Sequence, residues 1–376
     1  MFRFPVRLLA AALIAAGICA SARAVPANEG KPIDVVICLD VSGSMEGLVA
    51  SAKIKLWDIV NDLAKVKPTP LLRVGLYSYG HTTYDPKAGW VRKEIDLTTD
   101  LDEVYKKLNG LTINGGEEYV ARVCRDALVQ QKWAEDKHSL KLIFVCGNEP
   151  VDQDKQVHLK DVAKLAKEKG VVINTIYCEW GKPGEDLGWK QFSDDSGGKY
   201  AMIYHNQRVV QIETPYDKDL LKLNGKLNET FVAYGRGGEA KKENQAAQDK
   251  NAAAGGAPAL AGRVQTKGGA LYRNSDWCIV SRAMEEKNFD ITKVPEAELP
   301  EEMKKMKPEE RKAFIEKKVA ERKKIQEEIA DTSAKRGKFL ADEMKKHASA
   351  TDKQLDTALR GIIREQAAAK GIDVPK

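Results

Sequence analysis

From residue 31 to about 235, apolar runs of strand length alternate with helical patterns, and this alternation limits the chain to very few architectures. The runs are Ile33–Leu39, Leu72–Tyr79, Val91–Ile95, Leu140–Cys146, Val171–Cys178 and Tyr200–Tyr204. Helical patterns lie between them near 44–66, 100–109, 117–134, 153–169 and 184–196, with a further one near 217–231. Most of the runs are apolar throughout, as strands are when both faces of their sheet are covered. Alternation with helices then predicts an α/β fold with a doubly wound, mostly parallel six-stranded sheet. Val91–Ile95 interleaves Arg92, Lys93 and Glu94 with its apolar residues, which suits an edge strand.

The pattern changes near Gly235. Residues 236–263 are rich in Ala, Gly and Lys with few large apolar side chains, so they suggest a linker or a weak, solvated helix. Residues 264–300 are mixed, with Tyr272 and Trp277 placed to dock back on the first domain. Residues 301–376 hold 20 Lys and Arg against 15 Asp and Glu, a charged and mainly helical extension that suggests a spacer or a partner-docking element. Pro308 with Glu309 and Glu310 marks a helix start. The pairs Ile315/Val319 and Ile325/Ile329 do not sustain heptads. Leu355, Leu359, Ile362 and Ile363 form an apolar stripe on a last helix. The expected division is therefore 1–24, 25–235, 236–263 and 264–376.

Residues 1–24 have the composition of a secretory signal. Arg3 and Arg7 precede an uncharged run from Leu8 to Ala20, and Ala22-Arg23-Ala24 offers a small-x-small cleavage site. The run is too short to cross a bilayer core of roughly 30 Å comfortably. No later apolar stretch is long enough to span a membrane, so an exported protein of the periplasm or extracellular space is expected. The leader also corrects the charge. Of the formal +6, three positive charges belong to residues 1–24 and a net +5 to residues 301–376, which leaves −2 between them. That balance gives no reason to expect nucleic acid as a partner. Five cysteines remain after cleavage, an odd number that leaves at least one without an intrachain partner.

The most informative stretch is Asp34-Val-Val-Ile-Cys-Leu-Asp40-Val-Ser42-Gly-Ser44. A buried strand ends in Asp-x-Ser-x-Ser and runs straight into a helix, and ligands of open α/β sheets sit at the carboxyl ends of strands. One carboxylate and two hydroxyls are hard oxygen donors suited to Mg²⁺ or Ca²⁺. These residues resemble the von Willebrand factor A domain family over roughly residues 31–235. Arg73-Val-Gly-Leu-Tyr-Ser-Tyr resembles its second strand, and Gly115-Gly116-Glu117 its second metal loop. Leu142-Ile-Phe-Val-Cys-Gly147-Asn148-Glu149-Pro150 resembles its fourth strand and third loop, and Gly197-Gly198-Lys199-Tyr200 the turn into its last strand.

The resemblance implies a bacterial-type exported binding module, not an enzyme, with a metal-ion-dependent adhesion site completed by a carboxylate of its partner. It places Asp40, Ser42, Ser44 and Glu117 around the cation. Two positions depart from the family pattern, so the expected site is a degenerate one. Glu117 stands where the family has Thr, and Gly147, with Asn148 and Glu149 following, stands where it has Asp. Two other readings are a metal-free scaffold of the cell envelope and a metal-dependent hydrolase, for which no nucleophile or base is visible. The rim loops 80–84 and 179–189, the latter with Trp180 and Trp189, are candidate partner contacts.

Overall fold

The computed structural model describes residues 30–47, 49–50, 60–179, 186–204, 211–347 and 361–374. Residues 1–24, Trp180, Leu355 and Leu359 lie outside the described residues. Six strands are present: β1 (Gly30–Asp40), β2 (Pro70–Tyr79), β3 (Val91–Thr98), β4 (Leu140–Gly147), β5 (Val172–Glu179) and β6 (Tyr200–Tyr204). They form one sheet in the order β3-β2-β1-β4-β5-β6. Every pairing is parallel except β2 with β3, so the charge-interleaved run is the antiparallel edge strand. The α/β expectation holds, and all six runs become strands within three residues of the expected ends.

Two apolar layers cover the sheet. On one face, Val36, Cys38, Ile143 and Val145 pack with α2 (Val120–Gln130), α3 (Leu159–Lys169) and α4 (Trp189–Asp195). On the other, Val35, Leu39, Leu142 and Phe144 pack with α1 (Leu101–Asn109), which starts on Asp100: its Oδ1 accepts from the Glu103 amide at 3.0 Å. Consecutive side chains of β1 serve opposite layers, which is why the strand is apolar without a break. The cysteines of the described residues (Cys38, Cys124, Cys146, Cys178 and Cys278) are all buried and free.

Chain beyond 235 extends the α1 layer. Residues expected to form a linker or solvated helix instead build α6 (Gly238–Ala254) and α7 (Ala257–Gly268), which pack with α5 (Asp217–Asn228). Beside apolar contacts of Leu260, Ala261 and Val264, many of their contacts are polar and buried. Arg263, with no exposed surface, donates to Asp102 Oδ1 and to Asp249 Oδ1, each at 2.7 Å. Lys267 Nζ donates to Asp249 Oδ2 at 2.8 Å and to Asn224 Oδ1 at 2.9 Å. Tyr272 donates its hydroxyl proton to Asp102 Oδ2. Burial alone would raise the Asp249 carboxyl, but Lys267 and Arg263 hold it well below the usual carboxylate range. Trp277 stacks on Phe231 with ring centroids 5.7 Å apart, so the aromatic pair docks back as its composition suggests.

After α8 (Ile279–Glu285) and α9 (Glu301–Lys304), the long α10 (Pro308–His347) lies across α5, α7 and α8 rather than projecting from them. Its inward seam is Ile315, Arg322, Ile329 and Arg336, one residue every seven. Arg322 donates to Thr230 Oγ1 at 2.8 Å and Ser281 Oγ at 2.7 Å, and its guanidinium lies 4.1 Å from the Phe231 ring centroid. Arg336 donates to Asp217 Oδ1 at 2.8 Å. A last helix over 361–369 buries Ile362, Ile363 and Ala367. Gln366 and Asn174 exchange amide hydrogen bonds of 2.6 and 3.0 Å, and Lys31 Nζ donates to the Lys370 carbonyl at 2.6 Å. These contacts place the helix at the start of β1 and β5, the edge of the sheet opposite the Asp40 rim.

Candidate metal centre

Asp40 is the last residue of β1 and is fully buried at the carboxyl rim. Its Oδ1 accepts from the Ser42 amide at 2.7 Å, an Asx turn that folds the loop back toward the strand end. The turn brings the two hydroxyls together, with Ser42 Oγ 3.3 Å from Ser44 Oγ. Asn148, buried just past β4, fixes Ser44 from the other side: its Nδ2 donates to Ser44 Oγ at 2.9 Å, and its Oδ1 accepts from it at 3.2 Å. Three of the four expected residues, Asp40, Ser42 and Ser44, therefore converge.

Glu117 does not join them. It is exposed on the rim, and Glu118 is the carboxylate that turns inward, 8% exposed and within hydrogen-bonding reach of Asp40 and Ser42. The Gly80 backbone makes room for this pairing. A Cβ at Gly80 would stand 2.9 Å from Asp40 Oδ1, 3.1 Å from Glu118 Cγ and 3.4 Å from Ser42 Cβ, and the residue has φ +84°. Spacing after Gly115-Gly116 does not tell the two glutamates apart, because both lie in an irregular stretch ahead of α2 with no fixed side-chain period.

At the third loop the family acid is replaced for a packing reason. A Cβ at Gly147 would come within 2.6 Å of the Tyr79 hydroxyl oxygen and 2.9 Å of Trp189. Tyr79 itself donates to the Cys146 carbonyl at 2.8 Å, and Trp189 Nε1 donates to the Glu149 carbonyl at 2.9 Å. Trp189 is thus fully buried behind the rim rather than an exposed contact. His81, at the head of the next rim loop, is also buried, with Nε2 3.2 Å from Thr112 Oγ1. Beside the centre, a groove of about 430 Å³ is lined by Val151, Leu187 and Phe192, with Asp152 and Lys160 at its edge.

The two inward carboxylates are incompletely satisfied: Asp40 Oδ2 and Glu118 Oε2 are buried and accept no hydrogen bond. Burial, and for Glu118 also the nearby Asp40 charge, raises both carboxyls above their ordinary values. Two carboxylates facing each other away from water are costly without a positive charge between them. Among the described residues no group of three or more His, Cys, Asp and Glu forms a metal cluster. The donor set is instead two carboxylates and two hydroxyls, the hard oxygen chemistry that fits Mg²⁺ or Ca²⁺.

Residues 34–215 match the family model for the von Willebrand factor type A domain. Domains of this type generally mediate protein interactions, and they often bind a divalent metal at the corresponding site. Among solved structures, the chain is similar to the SpRpn10 VWA domain, with 18% identity, 48% of this chain and 92% of that one covered, and a TM-score of 0.36. It is also similar to proximal thread matrix protein 1 of the mussel byssus with a zinc-occupied MIDAS motif, with 12% identity, 47% and 43% covered, and a TM-score of 0.35. No curated protein matches the sequence. No helix among the described residues is long and apolar enough to cross a membrane.

Proposed function

We propose that this protein is an exported binding module of the von Willebrand type A class, acting in the periplasm or extracellular space. It engages a protein or surface ligand at the carboxyl rim of its sheet through a divalent cation. Asp40, Ser42, Ser44 and Glu118 would hold Mg²⁺ or Ca²⁺, with Asn148 fixing Ser44; a bound cation supplies a positive centre that neutralises the two carboxylates. The reading rests above all on the orphaned, buried oxygens Asp40 Oδ2 and Glu118 Oε2 beside two hydroxyls at a strand end. Export is supported by Arg3 and Arg7 ahead of the apolar run Leu8–Ala20. Binding is favoured over catalysis because His81, the histidine at this rim among the described residues, is engaged by Thr83 and Thr112.

Calorimetric titration of Mg²⁺, Ca²⁺ and Mn²⁺ into the full chain tests the centre. Asp40→Asn and Glu118→Gln each remove one charge with little change of shape and should abolish the heat or weaken affinity at least tenfold. Glu117→Gln should leave it within about twofold. Equal heats from wild type and Glu118→Gln would overturn this ligand set.

A further inference from the structure

We propose that Asn114 is a modification site, at which the Gly115 nitrogen attacks the Asn114 side-chain amide and converts the residue to aspartate and isoaspartate. Asparagine is a chemically labile residue, and a following glycine leaves the attacking nitrogen without a neighbouring Cβ. The step takes up water and needs no other reactant. A bond forms between Gly115 N and Asn114 Cγ while the Cγ–Nδ2 bond breaks. Nδ2 leaves as ammonia with the proton given up by Gly115 N, and a cyclic succinimide remains. Water then opens the ring at either carbonyl. One product is aspartate. The other is isoaspartate, in which the main chain runs through the side chain and gains one carbon.

The sequence holds three Asn-Gly pairs, and the fold leaves one of them open to this reaction. Gly225 lies inside α5, and Asn224 is buried, its side chain donating to Asp249 Oδ2 and accepting from Lys267 Nζ, each at 2.9 Å. Gly110 gives its N–H to the Lys106 carbonyl at 3.0 Å, and Asn109 Nδ2 donates to the Tyr105 carbonyl at 2.8 Å. Asn114 and Gly115 are both exposed, in a stretch that is neither helix nor strand. The Gly115 N–H donates to Asn114 Oδ1 at 2.9 Å, so the amide already lies against the nitrogen that must attack it.

The pair joins two parts of the rim. Asn114 N donates to the Val41 carbonyl at 3.0 Å, one residue after Asp40. Gly116 backs onto Gly80, where a Cβ on Gly116 would stand 2.7 Å from the Gly80 oxygen. An extra main-chain carbon between these anchors displaces the turn that presents Glu118 to Asp40 and Ser42. This consequence, unlike the modification itself, rests on the reading of the rim as a cation centre.

The folded full chain would be aged for days at mildly alkaline pH, which favours attack by the amide nitrogen, and then digested. Fragment masses should place a gain of about one dalton at Asn114, with isoaspartate confirmed by isoaspartate-specific methylation. Asn114 should react at least tenfold faster than Asn109 and Asn224 of the same sample. Gly115→Ala has nothing within 4 Å of the added Cβ and should fold normally. It should slow the reaction at least tenfold. Mg²⁺ calorimetry of aged wild type should lose heat in proportion to its isoaspartate, while aged Gly115→Ala keeps its heat. An intact Asn114, or one no faster than the other two pairs, overturns the proposal. Isoaspartate with undiminished heat, or equal loss in the variant, overturns its link to the rim. Absence of Mg²⁺ heat in fresh protein sinks the cation reading alone, since the masses score the modification without it.

Discussion

At the scale of single residues, two glycines decide what the rim can be. Gly80 lets Asp40, Ser42 and Glu118 approach one another across its backbone. Gly80→Ala would add a methyl group 2.9 Å from Asp40 Oδ1 at a residue with φ +84°, costing about 1–2 kcal/mol for the left-handed backbone alone. It should lower Mg²⁺ or Ca²⁺ affinity at least tenfold by calorimetry, with a smaller fall in the urea midpoint. Gly147 works the other way. Restoring the family acid as Gly147→Asp should not strengthen cation binding, because its Cβ would press on Tyr79 and Trp189. Overpacking of this kind costs about 1–3 kcal/mol. A urea midpoint equal to wild type, or a gain in affinity, would show that the loop opens to admit an acid. The departure at this position is therefore tied to the core behind it. Residue type alone makes that position look like a lost ligand; only the packing around Tyr79 and Trp189 explains it.

At the scale of elements, legibility in the sequence follows the kind of interaction. The strands were legible because burial on two faces leaves an uninterrupted apolar run, and Asp40-x-Ser42-x-Ser44 was legible because three hard oxygens directly follow the carboxyl end of a buried strand, where open α/β sheets place their sites. Glu118 was not, since which of two adjacent glutamates turns inward depends on how the 112–119 loop sits against Gly80. Helices α6 and α7 were not legible either. Their buried side chains include Gln245, Gln248, Asp249, Arg263 and Lys267, which look solvent-facing until each finds its partner. The seam of α10 likewise alternates Ile with Arg, so an apolar heptad search sees half of it. Asp249 tests how much that polar packing contributes. Asp249→Asn leaves Arg263 and Lys267 buried without their shared carboxylate, and removing one member of such a group costs about 3–5 kcal/mol. A depressed folded pKa means this stability is complete above the unfolded value near 3.8 and is lost only as pH falls below it. Lys267, its pKa already lowered to about 8 by burial, loses in the variant the Asp249 charge that raises it, so acidification toward pH 5 can only destabilise the variant further. The gap in urea stability between wild type and variant should thus not shrink from pH 7 to pH 5 and should narrow below about pH 4. A gap that shrinks between pH 7 and 5 would show that the carboxylate is not held low.

At the scale of the whole molecule, charge and structure divide the chain differently. By charge, residues 301–376 are a separate appendage with a net +5. By contact they belong to the same body as the sheet. Helix α10 buries Ile315 and Ile329, and the 361–369 helix buries Ile362 and Ile363 at the edge of the sheet opposite the rim. A fully buried aliphatic side chain of this size contributes roughly 1.5–3 kcal/mol, and a folded domain is stable by only about 5–15 kcal/mol in total. Four such residues, together with the bonds of Arg322 and Arg336, are of the same order as the entire margin. A chain ending at residue 300 should therefore lose cooperative unfolding in urea or aggregate, although the von Willebrand type A match ends well before that point, at residue 215. A spacer would behave otherwise, leaving thermal midpoint and cation affinity untouched when removed. The milder variant Arg322→Ala keeps the chain whole while stripping its bonds to Thr230 and Ser281 and its stacking on Phe231. It should lower stability by about 2–4 kcal/mol with cation affinity unchanged, since the contacts it breaks belong to α10 and the helices beneath it. Full stability in that variant and cooperative unfolding in the truncated chain would together return the extension to the role of a detachable tail.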